Sequence, residues 1–298
     1  MWALLACLAL EMGAFMHRRI LSVLIAASLP VLMMAPAQAA NGNDGVTQAV
    51  MACIKRALPP DQVALVEKGM MNKLPPASAS KAMTCFYTDG KASSVKVAKG
   101  KFIAVSPIDL TRVTGVSKFR SCMGHDYSGM NLAGKPEQDR SMKHYVFTDI
   151  PLTEVGAMDG LAPFDGTVKV EDEEGGFGKH VTVTNIKLGW MFIFFHAEPV
   201  ATNGSTVKAG QKVVSFPPVS PAGAEPGQTD SFDLGLRSLD GRYDSFLSHM
   251  TPAALAPWNA KGFTVDRTVM SQAQRDANPC NGNYSGAMDH PDLVRPSS

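Results

Sequence analysis

From residue 91 onward the chain breaks into many short apolar runs separated by Gly, Pro, Asn and Asp. This punctuation constrains the fold more than any other feature. Val95–Val97, Phe102–Val105, Tyr145–Phe147, Thr167–Val170, His180–Val183, Trp190–Phe195, Lys212–Phe216 and Phe232–Leu236 each have the length and apolar content of a strand. Runs this short pair with near neighbours. Residues 91–265 are therefore expected to be mainly β, as an antiparallel β sandwich or barrel-like sheet. Leu188 to His196 is apolar but too short to cross a bilayer, and reads as a buried strand. Pro217 to Gln228 carries no apolar period and reads as a loop. Helical spacing returns at Ser245–Met250 and Pro252–Ala260, followed by a polar tail over 266–298.

Ahead of this β-rich part, residues 40–90 read as a small helical region. Val46, Val50, Cys53, Ile54 and Leu58 share one helical face, and Pro59-Pro60 stops that helix. Asp61 is expected to cap a second helix over Gln62–Met71, and Ser78 or Ser80 a third that reaches Cys85. So few residues need a disulfide or a neighbour to hold them.

The first 39 residues read as an address rather than a fold element. Met16-His17-Arg18-Arg19 forms a basic n-region, Ile20 to Met34 an apolar core, and Ala37-Gln38-Ala39 a small-x-small cleavage site. Residues 1–15 read as an upstream extension, with Met16 as the functional start. The alternative is a retained membrane anchor. Export, to a periplasm or the outside, places the cysteines in an oxidising compartment. Of the 5 Cys, Cys53, Cys85, Cys122 and Cys280 follow the cleavage site. Four cysteines allow three pairings. Cys53 and Cys85 share the small helical region and are expected to pair, which leaves Cys122 with Cys280. Four free thiols are the alternative. The formal net charge of +1, from 28 basic and 27 acidic residues, does not suggest a nucleic-acid binder. No integral membrane segment is expected after cleavage.

Four blocks stand in order within the β-rich part. They are Leu161-Ala162-Pro163-Phe164-Asp165-Gly166-Thr167-Val168, Gly176 to Val183, Phe194-Phe195-His196-Ala197, and Gly204 to Gln211. Taken as residues they say compact sheet, with Asp165-Gly166 as a tight hairpin turn. As an ordered set over about 119–263 they resemble the LytM or lysostaphin-type zinc endopeptidases that cut peptidoglycan cross-bridges. A lipoyl or biotinyl carrier shares the hairpin logic, but needs a lysine at a hairpin tip that is not found here.

The resemblance implies a site whose ligands have changed. The family's H-x-G-x-D loop aligns with Tyr127-Ser128-Gly129-Met130-Asn131, so Tyr127 replaces its His and Asn131 its Asp. Its H-x-H-F-E strand aligns with Ser231-Phe232-Asp233, so Ser231 and Asp233 replace both histidines. The assisting His of its Y-x-H-L strand is matched by His196. Catalytic zinc takes three good donors and a water, whereas Tyr127 and Asn131 are poor donors. The inherited set therefore implies no zinc, no other cofactor and no catalytic residue, with His196 and Ser231 at catalytic-equivalent positions. The competing reading is a shifted metal site of His125, His196 and Asp233 in an active metallopeptidase, and only that reading brings zinc back. His125-Asp126 otherwise reads as a loop pair in which the carboxylate accepts from the imidazole.

His144, His180, His249 and His290 read as surface or satisfied structural histidines. Glu171-Asp172-Glu173-Glu174 reads as a solvated hairpin tip rather than a calcium site, and Trp190, Phe192, Phe194 and Phe195 as strand core. The resemblance then implies an exported pseudo-metallopeptidase of the cell envelope. Its groove of Tyr127, Asn131, His196, Ser231 and Asp233 would bind peptidoglycan or regulate a cell-wall hydrolase. The lack of heptads favours a binding module over a coiled-coil regulator. A structural scaffold is the third possibility. Intact mass measurement of exported material should give a chain beginning at Ala40; one beginning at Met1 or Met16 contradicts the address reading.

Overall fold

In a computed structural model the protein is described over residues 47–172, 178–217 and 229–297. The address segment, the Glu173-Glu174 half of the acidic run and most of the Pro217–Gln228 loop lie outside these residues. Three helices come first, α1 (Gln48–Ala57), α2 (Pro60–Glu67) and α3 (Pro76–Tyr87). The strands follow: β1 (Val113–Ser117), β2 (Gly129–Met130), β3 (Pro136–Glu137), β4 (His144–Pro151), β5 (Met158–Leu161) and β6 (Gly166–Asp172). Then come β7 (Lys179–Asn185), β8 (Trp190–Pro199), β9 (Thr206–Val207), β10 (Lys212–Phe216), β11 (Thr229–Ser238) and β12 (Tyr243–Asp244). Helices α4 (Pro252–Ala260), α5 (Val265–Thr268) and α6 (Gln272–Ala277) precede a last strand, β13 (Leu293–Val294).

The main sheet runs β13-β1-β4-β11-β8-β7-β6-β9, with β10 joining β5 to β8 and β12 on β11. All these strand pairs are antiparallel. The path is open, so of the two expected outcomes the sheet does not close as a barrel. One face carries the principal core. Phe192, Phe194, Phe232, Leu234 and Leu236 pack there with Trp190, Phe216, Phe246 and Trp258. Phe216 and Phe232 stack at 3.8 Å between ring centroids.

Several local expectations change. Val95–Val97 forms no strand. Phe102–Val105 contributes only an isolated bridge from Ile103 to Met250, because Phe102 turns inward to stack on Trp190 rather than joining a ladder. Asp165-Gly166 is not a hairpin turn: β5 pairs with β10 and β6 with β7 and β9, so the bend moves the chain between branches of the sheet. Asp165 fixes it by accepting from Ala209 N at 2.9 Å and Lys208 Nζ at 2.8 Å. The cap of α2 is Pro59 rather than Asp61, since Pro60 suits the first helical position, where no N–H is needed. Ser245–Met250 is a short 3-10 turn over Phe246–His249.

The N-terminal helices have their own apolar cluster, including Val50, Ile54, Val63, Val66 and Ala82. The Cys53–Cys85 disulfide joins α1 to α3 inside it. Cys122 is bonded to Cys280. These are the pairs the sequence reading assigned. The 266–298 segment is more ordered than a polar tail implies. Ser271 and Gln274 form a capping box on α6, and β13 adds an edge strand to β1. Asp139 accepts from the backbone N–H groups of Asn281 and Gly282 at 2.6 and 2.9 Å.

His144 is a fully satisfied core histidine. Its Nδ1 lies 2.8 Å from Ser117 O and its Nε2 2.7 Å from Ser245 Oγ. Burial disfavours the imidazolium and lowers its pKa to about 4. The folded value lies below the unfolded value of about 6.5, so protonation favours the unfolded chain. The contribution is complete above about pH 6.5 and is lost toward pH 4, about 3 kcal/mol in all. Urea midpoints of the wild type should therefore fall over this window, and His144→Gln should flatten the fall while lowering stability at neutral pH.

Candidate functional site

The site lies on the face of the sheet opposite the principal core. Strand alternation in β11 points Phe232, Leu234 and Leu236 into the core. It points Ser231, Asp233 and Arg237 the other way. At the start of β4 the same alternation sends His144 inward and Lys143 outward, and the pairing of Asp233 with Tyr145 brings Lys143 and Asp233 together. In β8 the register shifts between Lys179 and Val181 on the neighbouring strand. At this bulge His196 takes φ +55°. Phe194 and Ala197 stay in the core, so two consecutive residues, Phe195 and His196, are left for the open face. A bulge re-aims a side chain in this way, and the strain of a non-glycine residue at positive φ marks the position.

The centre of the site is Lys143, a residue that spacing arguments did not single out. Its Nζ lies 2.6 Å from Asp233 Oδ2, and the two side chains are each only 2% exposed. The same ammonium sits 3.1 Å from His125 Nε2. It also lies over three rings, at 4.4 Å from Phe195, 4.7 Å from Tyr127 and 5.0 Å from Tyr145. His196 Nε2 approaches Asp233 Oδ2 at 3.5 Å from the solvent side. Burial alone would raise the Asp233 pKa. The Lys143 ammonium and His196 outweigh it and hold the carboxyl below its ordinary value.

The residues expected at the site divide into two groups. Lys143 gathers His125, Tyr127, His196 and Asp233. Tyr127 stands edge-on to Phe195 and Tyr243 at 5.5 and 5.4 Å, and burial raises its phenol pKa well above the ordinary value. His125 is placed by Gly124, whose φ of +67° and missing Cβ are both required: a Cβ there would lie 2.1 Å from the Tyr145 ring. His125 Nδ1 faces the backbone carbonyl of Asp126 at 2.9 Å, not the carboxylate expected.

Asn131 is not brought into the groove. Its Nδ2 donates to Glu137 and Gln272 at 2.9 and 3.1 Å, and its Oδ1 accepts from Ala133 N and Lys135 N. It belongs to a buried network in which Glu137 also accepts from Arg120 and Arg140. Ser231 is exposed, two positions along β11 from Asp233. Among the described residues no three His, Cys, Asp or Glu side chains converge as a metal-binding group.

Two further residues were not expected here. His180 lines the groove beside His125, Lys143, Glu171 and Asp172, with its ring 4.6 Å from Phe195. Alternation on β7, with Val181 and Val183 in the core, was the available signal. Arg237 lies between the Tyr87 and Tyr243 rings, at 4.6 and 4.8 Å. His249 is a structural histidine as expected, with its ring nitrogens 2.8 Å from Gly100 O and Asp244 Oδ2. His290 Nδ1 accepts from Asp292 N.

The buried pair sets a stability test. Asp233→Asn strands a buried ammonium, and Lys143→Met strands a buried carboxylate. Each should cost about 3–5 kcal/mol, and the double variant Lys143→Met/Asp233→Leu much less than the sum. Urea unfolding of the four proteins gives the coupling.

No protein-family model and no curated protein matches the chain. Csd3 of Helicobacter pylori aligns over 51% of this chain and 35% of its own, with 16% identity and a TM-score of 0.33. Pseudoalterin, a deep-sea M23 metalloprotease, aligns over 48% of this chain and 75% of its own, with 14% identity and a TM-score of 0.32. A single-residue variant of the catalytic domain of EnpA, a prophage-encoded M23 protein from Enterococcus faecalis, aligns over 43% of this chain and 94% of its own, with 19% identity and a TM-score of 0.27. The chain thus spans about a third of the Csd3 chain. The solved structures that match this fold are M23/LytM-type peptidases.

Proposed function

We propose that this is an exported cell-envelope protein whose LytM-like groove binds peptidoglycan peptide without hydrolysing it. The observation that carries the reading is the Lys143 ammonium, buried among His125, Asp233 and Tyr127. A dication held by the shifted set of His125, His196 and Asp233 would compete with that ammonium for the same Asp233 oxygen and would face its charge at close range. The inherited set fits no better: Asn131 is committed to Glu137, Gln272 and its own turn, and Tyr127 has a raised phenol pKa. The residues present do not fit a zinc ion, and we derive no hydrolytic step through one. What remains is a groove of imidazole, hydroxyl and aromatic groups suited to hydrogen bonding and stacking.

Export is part of the same proposal. Two disulfides fit an oxidising compartment, and no helix among the described residues is long and apolar enough to cross a membrane. A wall hydrolase held in the groove is the alternative partner. A filled-in scaffold accords less well with the open space of about 580 Å³ beside His125, Lys143 and His180.

The test combines metal analysis, turbidity clearing of purified sacculi and co-sedimentation with them. The expected result is sub-stoichiometric zinc, no clearing and saturable sedimentation. About one zinc per chain that is lost in His125→Ala, together with clearing, would establish the shifted-site peptidase instead. No sedimentation would remove the binding role.

A further inference from the structure

The second cavity on this face lies between α3 and the open side of β7, β8 and β11. Its volume is about 580 Å³, within the range of small-ligand sites. Met83 and Phe86 line it from the helix, and Met191, Ile193 and Phe195 from the sheet. Arg237 is the charged group set into this apolar lining from β11. Its Nε is buried and has no hydrogen-bond partner among the described residues. Of the two acids in the lining, Glu171 is paired with Lys169 at 2.8 Å and Asp89 is exposed. Buried charges are ordinarily paired, and an unpaired one in a cavity points to a missing partner.

The shape of the missing partner follows from the aromatic clamp. Tyr87 and Tyr243 lie against the guanidinium and stabilise the cation, while its Nε has no acceptor among the described residues. A guanidinium edge matches a carboxylate with two parallel hydrogen bonds. The methionines and phenylalanines around it suit an apolar side chain next to that carboxylate. Thr182 and Thr184 along the β7 wall supply hydroxyls spaced as a strand, which a peptide backbone can use and a hydrocarbon tail cannot.

We propose that Arg237 anchors the terminal carboxylate of a short peptide whose last side chains are small or apolar, in the cavity between α3 and the sheet. This deepens the peptide-binding reading above by naming the anchor and the end of the ligand that it takes. Tyr87 and Tyr243 act as positioning residues that hold the planar guanidinium in place.

The test is calorimetric titration of the full exported chain with N-acetyl-Leu-Ala, with its C-terminal amide and with decanoate. The free acid should bind, and the amide at least about tenfold more weakly, the loss of one charge-assisted pair. Arg237→Gln should abolish the acid-over-amide preference, and Arg237→Lys should reduce it, with near-UV dichroism confirming that each is folded. The acid-against-amide comparison on the wild type stands even if a variant does not fold. Equal affinity for acid and amide, no binding of the acid up to about 10 mM, or tighter binding of decanoate than of the peptide each overturns the proposal. Sacculus binding that persists without dipeptide binding would remove this inference alone. Dipeptide binding without sacculus binding would remove the wall role and keep the anchor.

Discussion

Strand β11 is the constraint on which the rest of the molecule depends. It lies between β4 and β8, pairing with β4 over Thr229–Leu234 and with β8 over Leu234–Ser238. Its even positions, Phe232, Leu234 and Leu236, form the middle of the principal core. Its odd positions carry Asp233 and Arg237 onto the opposite face. One period-two pattern therefore supplies the stability of the domain and the charges of its groove. A slip of one residue would bury Asp233 and Arg237 among phenylalanines and expose Phe232 and Leu234, so core and site select the same register. The Lys143–Asp233 pair lies across the β4–β11 junction and adds a second reason for it, since only one alignment leaves neither charge stranded.

The domain carries two kinds of polar chemistry, one away from the groove and one within it. The Glu137 network is complete: one buried carboxylate accepts from Arg120, Arg140 and Asn131. It ties the 120–140 loop to the C-terminal segment through Arg140 and Asp276 at 2.7 Å. That is a structural use of charge, with every lone pair answered. On the open face charge is less fully answered. Lys143 shares one carboxylate with His196 and relies on three aromatic rings, and Arg237 relies on two. Incomplete satisfaction is the pattern of a surface shaped for something beyond its own fold.

How much of this was legible in the sequence depends on the range of the signal. The strands over Thr167–Val170, His180–Val183, Trp190–Phe195 and Phe232–Leu236 could be read because alternation and bounding glycines are local. Val113–Ser117 and Met158–Leu161 were missed, since Thr, Gly, Ser and Asp dilute their apolar pattern and tertiary pairing alone makes them strands. The four cysteines were legible because two fell within one small helical region. The groove was half legible: Asp233, His196 and Tyr127 could be found by aligned motif. Lys143 could not, because nothing in Met142-Lys143-His144 distinguishes a buried lysine from a surface one until β4 is set against β11. Asn131 was misplaced for the complementary reason. Its neighbours in sequence suggest a ligand loop, whereas its side chain is drawn away by Glu137 and by the turn it closes.

The Cys122–Cys280 bond has a consequence of another kind. It spans 158 positions and encloses every strand from β2 to β12 in a single covalent ring. A protease that cut any one loop within that ring would produce no separate fragments. The two pieces would remain one molecule, with the sheet's hydrogen bonds and the bridge still holding its halves in register. Such a chain could be nicked and go on presenting the same surface. Only reduction of the bridge would let it come apart.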